Sequence, residues 1–130
     1  MIEQTELVVI QWHYHPPLNA VGASEKLSES TSLDVMKKRA STKKGIACRF
    51  SCRFTLENET ILEYVTEDSY VIDLDDVITR NDLVTMIRNS FSKFKEKFDF
   101  RKLGTVLHDK SLVALDETRI NFDAILPLLN

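Results

Sequence analysis

The clearest structural signal in this chain is the stretch Ile46-Ala-Cys-Arg-Phe-Ser-Cys-Arg-Phe-Thr-Leu-Glu57. Every even-numbered position in it is apolar, and every odd-numbered position except Ala47 is polar or charged. Because side chains alternate between the two faces of a strand, this pattern predicts a long strand with one apolar face and one solvated face. The apolar face needs a cover, which is either the protein's own helices, a second subunit or another polypeptide.

Length and composition indicate one domain. The chain has 130 residues, 43% of them hydrophobic, and a chain of this size buries roughly two thirds of its unfolded surface. The formal net charge of -3 provides no overall field that would attract nucleic acid or an anionic membrane. No stretch approaches the ~20 apolar residues of a membrane span, and the first residues do not resemble a signal peptide. We therefore expect a cytoplasmic protein without membrane insertion.

The two cysteines, Cys48 and Cys52, lie four residues apart on the apolar face of the predicted strand. This spacing separates them by about 13 Å, which is too far for a disulfide bond between them. The sequence therefore predicts two buried free thiols.

Three further strands are predicted around the first one. Leu7–Tyr14 alternates, with Val8, Ile10, Trp12 and Tyr14 on one face, and Pro16-Pro17 ends it at a sheet edge. Residues 16–32 show no sustained period and are interpreted as a flexible loop. Leu33–Ala40 and Thr60–Ile72 are predicted to flank the central strand, so that the last three strands form an antiparallel meander.

The register of the last hairpin is open at the sequence level. A two-residue loop at Asn58-Glu59 places Leu56 beside Ile61, whereas a three-residue loop places Phe54 beside Tyr64. A shift of one residue exchanges the two faces of the whole fourth strand, so the choice affects any site on it.

A long amphipathic helix follows the sheet. Its apolar stripe recurs at steps of three and four residues and consists of Leu83, Ile87, Phe91, Phe94 and Phe98. Thr79 or Asn81 is predicted to cap its start, and Gly104 is a suitable stop. Ser111–Leu115 is either a short strand or an extended connector, and Asn121 is predicted to begin a short helix that Pro127 limits.

We therefore predict an α+β fold, with a four-stranded antiparallel sheet followed by a long helix and a short C-terminal helix. The whole chain, residues 1–130, is expected to form this one domain.

No motif in the sequence indicates catalysis. His13 and His15 have a spacing that suits two zinc ligands, but nothing nearby identifies a third, so we expect no metal site and no cofactor. A glycine-rich phosphate loop is missing, and neither cysteine lies near a histidine in the sequence. The sequence predicts a protein that is not an enzyme.

Basic residues offer a weaker alternative. Two clusters and the solvated face of the central strand combine into a patch formed by Lys37, Lys38, Arg39, Lys43, Lys44, Arg49 and Arg53. Single-strand nucleic acid binders add exposed aromatic side chains to such a patch, whereas Ser51 and Thr55 lie between the arginines here. Nucleic-acid binding therefore remains a third hypothesis, after the two given below.

The region of residues 45–126 resembles the SecB family of export chaperones. Phe50-Ser-Cys-Arg-Phe-Thr-Leu-Glu-Asn-Glu-Thr-Ile-Leu-Glu-Tyr-Val-Thr-Glu-Asp-Ser-Tyr-Val-Ile72 is similar to the third and fourth strands of that family and their acidic hairpin. Ile120-Asn-Phe-Asp-Ala-Ile-Leu126 resembles the closing motif of the family, although Arg119 occupies the position of the motif's proline. The resemblance implies a SecB-like fold and a homo-oligomer.

The resemblance also implies a function in protein transport. A SecB-like chaperone holds unfolded or secretory polypeptides on hydrophobic surface between sheet and helix, without chemistry or cofactor. The peptide-binding candidates that we select by pattern are Phe50, Phe54, Tyr64, Phe91 and Phe94. The alternative is an interaction or assembly subunit of the same fold that binds one specific protein partner.

Overall fold

The protein folds around one antiparallel sheet with helices on one of its faces. Residues 2–4, 7–18, 26–39 and 42–130 are described in a computed structural model. Within these ranges, five strands form the sheet: β1 (Glu3–Gln4), β2 (Val8–Tyr14), β3 (Ser28–Arg39), β4 (Lys43–Leu56) and β5 (Glu59–Asp73). The order across the sheet is β3-β4-β5, and β1 and β2 pair one after the other with the far side of β5. The predicted four-stranded arrangement is confirmed, with its edge strand split into two pieces.

Two α-helices follow the sheet, α1 (Arg80–Arg101) and α2 (Phe122–Leu129), with a 3-10 turn at Glu117–Arg119 between them. Thr79 caps α1 as predicted, because its side chain accepts a hydrogen bond from the Asp82 N–H while the Asp82 carboxylate accepts one from the Thr79 N–H. The predicted apolar stripe of α1 faces the sheet, and only Phe91 in it is not fully buried. The α+β class and the helix order are therefore confirmed.

The alternation in β4 is also confirmed. Its even-numbered side chains from residue 46 to residue 54 are buried under α1, and its arginines lie on the opposite face. The protein's own helix thus covers most of the apolar face that the alternation from Ile46 to Leu56 predicts.

The predicted face of the first strand is wrong in its first half. A β-bulge between Val9 and Gln11 shifts the pairing with β5 by one residue, so Val9 packs against the core while Val8 and Ile10 are exposed. Trp12 and Tyr14 beyond the bulge pack on the core as predicted. A bulge adds one residue to a strand, and this reverses the alternation that a sequence pattern assumes.

The interpretation of residues 28–32 as part of a loop is wrong. β3 begins at Ser28, and these five residues pair with residues 51–55 of β4. They lack apolar alternation because β3 is an edge strand whose outer face is solvated and whose inner face at this end does not reach the buried core. Residues 19–25, which the loop prediction also includes, lie outside the described residues.

Both registers considered for the β4-β5 hairpin are wrong. The loop consists of Glu57-Asn58, with positive φ angles of 50° and 66°, and Leu56 pairs with Glu59. These angles are typical of the type I′ turn, whose twist matches that of the flanking strands. An irregularity at Ile61 then brings Phe54 opposite Leu62, which puts Tyr64 on the helix-covered face.

Replacing Glu57 with asparagine is expected to stabilise the protein. Glutamate has an unfavourable left-handed conformation at this position, whereas asparagine tolerates it and is favoured at the first position of a type I′ turn. We expect the free energy of unfolding in urea to rise by about 0.5 kcal/mol. A decrease would show that the Glu57 side chain has a favourable interaction that outweighs the backbone strain.

The C-terminal helix extends further than predicted. Asn121 caps α2 as expected, but the helix continues past Pro127 to Leu129. Two anchors at its end explain this: Leu129 is fully buried, and the Asn130 side chain both accepts from the Ile78 N–H at 2.9 Å and donates to the Ile78 carbonyl at 3.0 Å. Residues 111–115 form the extended connector and not a strand.

Candidate functional site

A groove opens along the inner side of the edge strand β3. Its volume is about 460 Å³, and its other walls come from α1, the connector before the 3-10 turn, and α2. We call it the β3 groove and define it by its lining residues: Glu29, Thr31, Ser32, Leu33, Phe50, Phe91, Val113, Ala114, Leu115, Asp116, Arg119, Ile120, Asn121 and Ile125. Its size lies in the range of clefts that bind ligands in proteins.

The floor of the β3 groove is aromatic. Phe50 of β4 is nearly fully buried, and its ring meets the ring of Phe91 edge to face at a centroid distance of 5.4 Å. Leu33 lies opposite Phe50 in the β3-β4 ladder and extends this apolar surface to the sheet edge. Phe91 is half-buried because nothing from the sheet covers its outer side, so its ring is the accessible part of the floor.

The other three predicted peptide-binding residues lie in the sealed core. Tyr64 and Phe94 stack at 4.6 Å with an angle of 10° between their rings, and Phe54 stacks on Phe98 at 5.7 Å. The Tyr64 hydroxyl donates to the backbone carbonyl of Phe94 at 2.8 Å, which satisfies its one polar group. Phe54, Tyr64 and Phe94 do not line the β3 groove; of the predicted candidates, Phe50 and Phe91 do.

Polar groups border the groove at one end. The Glu29 carboxylate accepts a hydrogen bond from the Val113 N–H at 3.1 Å and so connects β3 to the opposite wall. Burial raises the pKa of Glu29, although the Val113 hydrogen bond and the charge of Lys110 oppose the rise. Asp116 caps the 3-10 turn and forms an ion pair with Arg119 at 3.4 Å.

The walls of the groove are not predicted by the local sequence patterns. Leu33 was assigned to a strand, but Val113, Leu115, Ile120 and Ile125 come from segments that local patterns describe only as a connector and a short helix. One sequence signal could have indicated these walls. Residues 112–126 contain more apolar side chains than one two-turn helix needs to pack on a core.

A buried polar cluster lies elsewhere, between β1, β5 and α1. The Asp68 carboxylate is fully buried and accepts hydrogen bonds through one oxygen from the Tyr70 hydroxyl at 3.1 Å, the Ser90 hydroxyl at 3.0 Å and the Gln4 amide. The Tyr70 hydroxyl also lies 2.9 Å from the Met86 carbonyl, so the cluster joins the short strand and the helix to the centre of the sheet. Asp68, Tyr70 and Ser90 are buried and Gln4 at the outer end is exposed, so the cluster has the character of a structural polar network.

The outer face of the sheet does not present the basic patch as a free surface. Arg49 and Lys38 both contact Glu67, at 2.9 and 3.1 Å, and Arg53 contacts Glu63 at 2.9 Å. The acidic partners come from β5, so the register of the sheet neutralises much of the positive charge that sequence proximity suggested. Among the described residues, no group of three or more His, Cys, Asp or Glu side chains could hold a metal ion, and no helix is long and apolar enough to cross a membrane.

The buried thiols give the protein a predictable response to alkaline pH. Cys48 and Cys52 are free and buried, and burial raises the pKa of each to about 12. Above pH 9 the thiols of the unfolded chain ionise while those of the native chain stay protonated, so the free energy of unfolding must fall as pH rises. We expect a loss of roughly 2 kcal/mol between pH 9 and pH 10 in urea unfolding experiments.

A double variant, Cys48→Ala with Cys52→Ala, serves as the control for this pH dependence. It should lose much less stability over the same interval, because the buried tyrosines Tyr64 and Tyr70, whose pKa values burial also raises, ionise in the unfolded chain only nearer pH 10. Equal slopes for the two proteins would contradict the assignment to the thiols.

Neither protein-family profiles nor curated protein sequences match this chain. Among solved structures, the SecB-like chaperone Rv1957 of Mycobacterium tuberculosis, in complex with a ChAD peptide from the HigA1 antitoxin Rv1956, superposes with a TM-score of 0.53 at 13% sequence identity. The match covers 88% of this chain and 91% of that chain. The chain has a SecB-like fold. A protein of unknown function from Streptococcus agalactiae also superposes, with a TM-score of 0.47 at 11% identity over 89% of this chain and 97% of that chain.

The SecB-like fold fits the order of elements described above. The β3-β4-β5 meander, the long helix α1 and the short helix α2 follow one another as the sequence resemblance implied. In this chain, the β3 groove occupies the space that this order leaves between the sheet edge and the C-terminal segment.

Proposed function

We propose that this protein is a SecB-like chaperone that holds unfolded or secretory polypeptides in the β3 groove, without catalysis, cofactor or metal. The observation that carries the proposal is the half-buried Phe91, which lies on an aromatic floor that the protein's own elements leave open. Leu33, Ile120 and Ile125 continue this apolar lining on both walls. The proposal includes action in the cytoplasm, on chains that have not yet folded or been exported.

The chemistry of the groove suits such clients. Apolar side chains give affinity without a specific sequence, because burial of apolar surface is not directional. The polar groups at one end, Glu29 and Asp116 with Arg119, offer hydrogen bonds to a peptide backbone or to its charged side chains. Phe91 is the proposed direct peptide contact, Phe50 forms the floor beneath it, and the stacked rings of Tyr64 and Phe94 support both from below.

We also propose that the protein assembles into a homo-oligomer. Large apolar side chains are exposed away from the groove, notably Val8 and Ile10 on the edge strand. Sedimentation or light scattering should give a mass above that of one chain. The double variant Val8→Ser with Ile10→Ser should shift the mass toward the monomer if this edge of the sheet takes part in assembly.

Suppression of aggregation tests the chaperone proposal. Chemically denatured clients of unrelated sequence are diluted into buffer with or without the protein, and light scattering follows their aggregation. We expect the protein at an equimolar ratio to slow the aggregation of several clients. The proposal is rejected if none of them aggregates more slowly.

A second candidate is a subunit that binds one specific protein. The similar structure from Mycobacterium tuberculosis favours it, since that SecB-like chaperone is seen with a peptide from a single antitoxin. This candidate predicts that unrelated clients are not protected and that pull-down experiments recover one partner reproducibly. Recovery of a broad mixture of unfolded chains would favour the general chaperone instead.

A further inference from the structure

The edge strand β3 is unusually regular for a strand without a second neighbour. Its twelve residues pair one to one with β4 without a bulge, and no strand lies on its other side in the described part of the chain. It contains neither proline nor glycine. By contrast, the opposite edge is interrupted by the bulge in β2 and by the break between β1 and β2. Long regular edges are templates for pairing with another chain, and proteins usually interrupt or cover them.

The backbone edge of β3 borders the β3 groove. Three consecutive residues, Thr31, Ser32 and Leu33, line it, although neighbouring side chains on a strand point to opposite faces. Because the groove contacts all three residues, it extends around the edge of β3. The N–H and C=O groups that point away from β4 lie at this edge. The opposite wall at residues 113–116 belongs to neither a helix nor a strand, so the groove is a slot between this connector and the edge of β3.

Charges along the inner face of β3 differ between its two ends. Glu29 places a carboxylate at one end, where Asp116 is already paired with Arg119, and Leu33 and Val35 form an apolar centre. Lys37, which pairs with Ile46 and therefore shares this face, makes the other end basic. From Glu29 to Lys37 the strand rises about 27 Å, the length of a nine-residue extended peptide.

We propose that the β3 groove takes its client as an added β-strand. In this mode an extended peptide pairs with the free backbone edge of β3, its alternate apolar side chains enter the groove over Leu33 and Phe91, and a basic residue lies near Glu29. The inference rests on the proposed function and adds the conformation, the side-chain pattern and the polarity of the client. Backbone pairing supplies affinity that does not depend on sequence, while the alternation selects segments that are β-strands in their folded state.

Backbone N-methylation of a probe peptide tests this mode. The probe is a fluorescein-labelled nonapeptide, Lys-Ser-Leu-Thr-Phe-Thr-Leu-Ser-Glu, in which every second side chain is meant for the groove. Successive residues of an extended chain direct their N–H groups to opposite edges, so its two leucines and its two threonines point to different sides. One probe is N-methylated at both leucines and a second at both threonines. We expect one of them to bind at least about tenfold more weakly than the unmethylated peptide, and the other to differ from it by less than about twofold.

The outcomes separate this inference from the proposed function. If the unmethylated peptide binds and both methylated versions bind alike, strand addition is overturned while groove binding stands. If the unmethylated peptide does not bind, strand addition is overturned, and the aggregation assay then decides whether the proposed function stands. Light scattering can also show a dimer that the peptide neither binds nor dissociates. That result would assign the edge of β3 to a second copy of the chain and would also overturn the inference.

A charge variant tests the polarity of the client independently. Replacing the lysine of the probe with glutamate should weaken binding to the natural protein by about threefold to tenfold, since the new carboxylate lies near Glu29. The variant Glu29→Gln should reduce this difference to less than about twofold, and its urea unfolding curve verifies that it is folded. If Glu29→Gln leaves the difference unchanged, the proposed polarity is wrong.

Discussion

Replacing Phe94 with alanine is expected to lower the free energy of unfolding by about 3–5 kcal/mol, the usual cost of removing a buried aromatic ring. The ring is fully buried and stacks on Tyr64 at 4.6 Å and on Phe50 at 5.3 Å. Its loss leaves a cavity at the centre of the interface between α1 and the sheet, where rigid rings from two strands and the helix restrict collapse. Urea unfolding followed by far-ultraviolet circular dichroism measures the change.

The matched control for this prediction is Phe100→Ala. Phe100 lies on the same helix but is 77% exposed, so its replacement should change the free energy of unfolding by no more than about 0.5 kcal/mol. Both variants change the helix propensity by the same amount, and the difference between them therefore reports packing. Similar losses for the two variants would mean that α1 does not pack on the sheet through Phe94.

Replacing Phe91 with aspartate is expected to reduce client binding at least about thirtyfold, which corresponds to about 2 kcal/mol, the level of a binding hot spot. The Phe91 ring is the accessible part of the groove floor, and its packing on Phe50 holds it rigid for contact with an apolar side chain. A carboxylate at this position would lose its water when a client binds and has no basic partner on the floor. Fluorescence anisotropy with a labelled, permanently unfolded client measures the dissociation constant.

Phe100→Asp provides the control, because it adds the same charge to the same helix outside the groove. It should leave client binding within about twofold of that of the natural protein. Urea unfolding must show that Phe91→Asp stays folded and loses less stability than Phe94→Ala, since Phe91 is only half-buried. If Phe91→Asp binds clients normally while folded, the β3 groove is not the client site.

Much of the fold could be predicted from local patterns. The strict alternation from Ile46 to Leu56 and the helical stripe from Leu83 to Phe98 each describe one element with one buried face, and both faces are where the patterns put them. These predictions succeed because the two periods follow from backbone geometry alone. The caps at Thr79 and Asn121 succeed for the same reason, since a cap depends on hydrogen bonds within three residues.

The errors share a different physical origin. The bulge in β2 and the Glu57-Asn58 turn each change the register by one residue, and a register is determined by pairing with another strand, not by the strand itself. The start of β3 was missed because Ser28 and its neighbours form a strand only through their hydrogen bonds to β4. The helix beyond Pro127 persists because Leu129 and Asn130 are anchored to distant residues.

For the candidate site, the sequence by itself determined which strands and which helix carry aromatic residues on their apolar faces. Phe50 and Phe91 were therefore among the candidates. It could not separate them from Phe54, Tyr64 and Phe94, because all five are aromatic residues within predicted strands or the predicted helix. Only the tertiary structure decided which rings line the groove, since α1 places Phe94 and Phe98 over Tyr64 and Phe54 and leaves the side of β3 to the C-terminal segment. Accessibility depends on what lies next to a side chain in space, and that is settled by the packing of elements far apart in the chain.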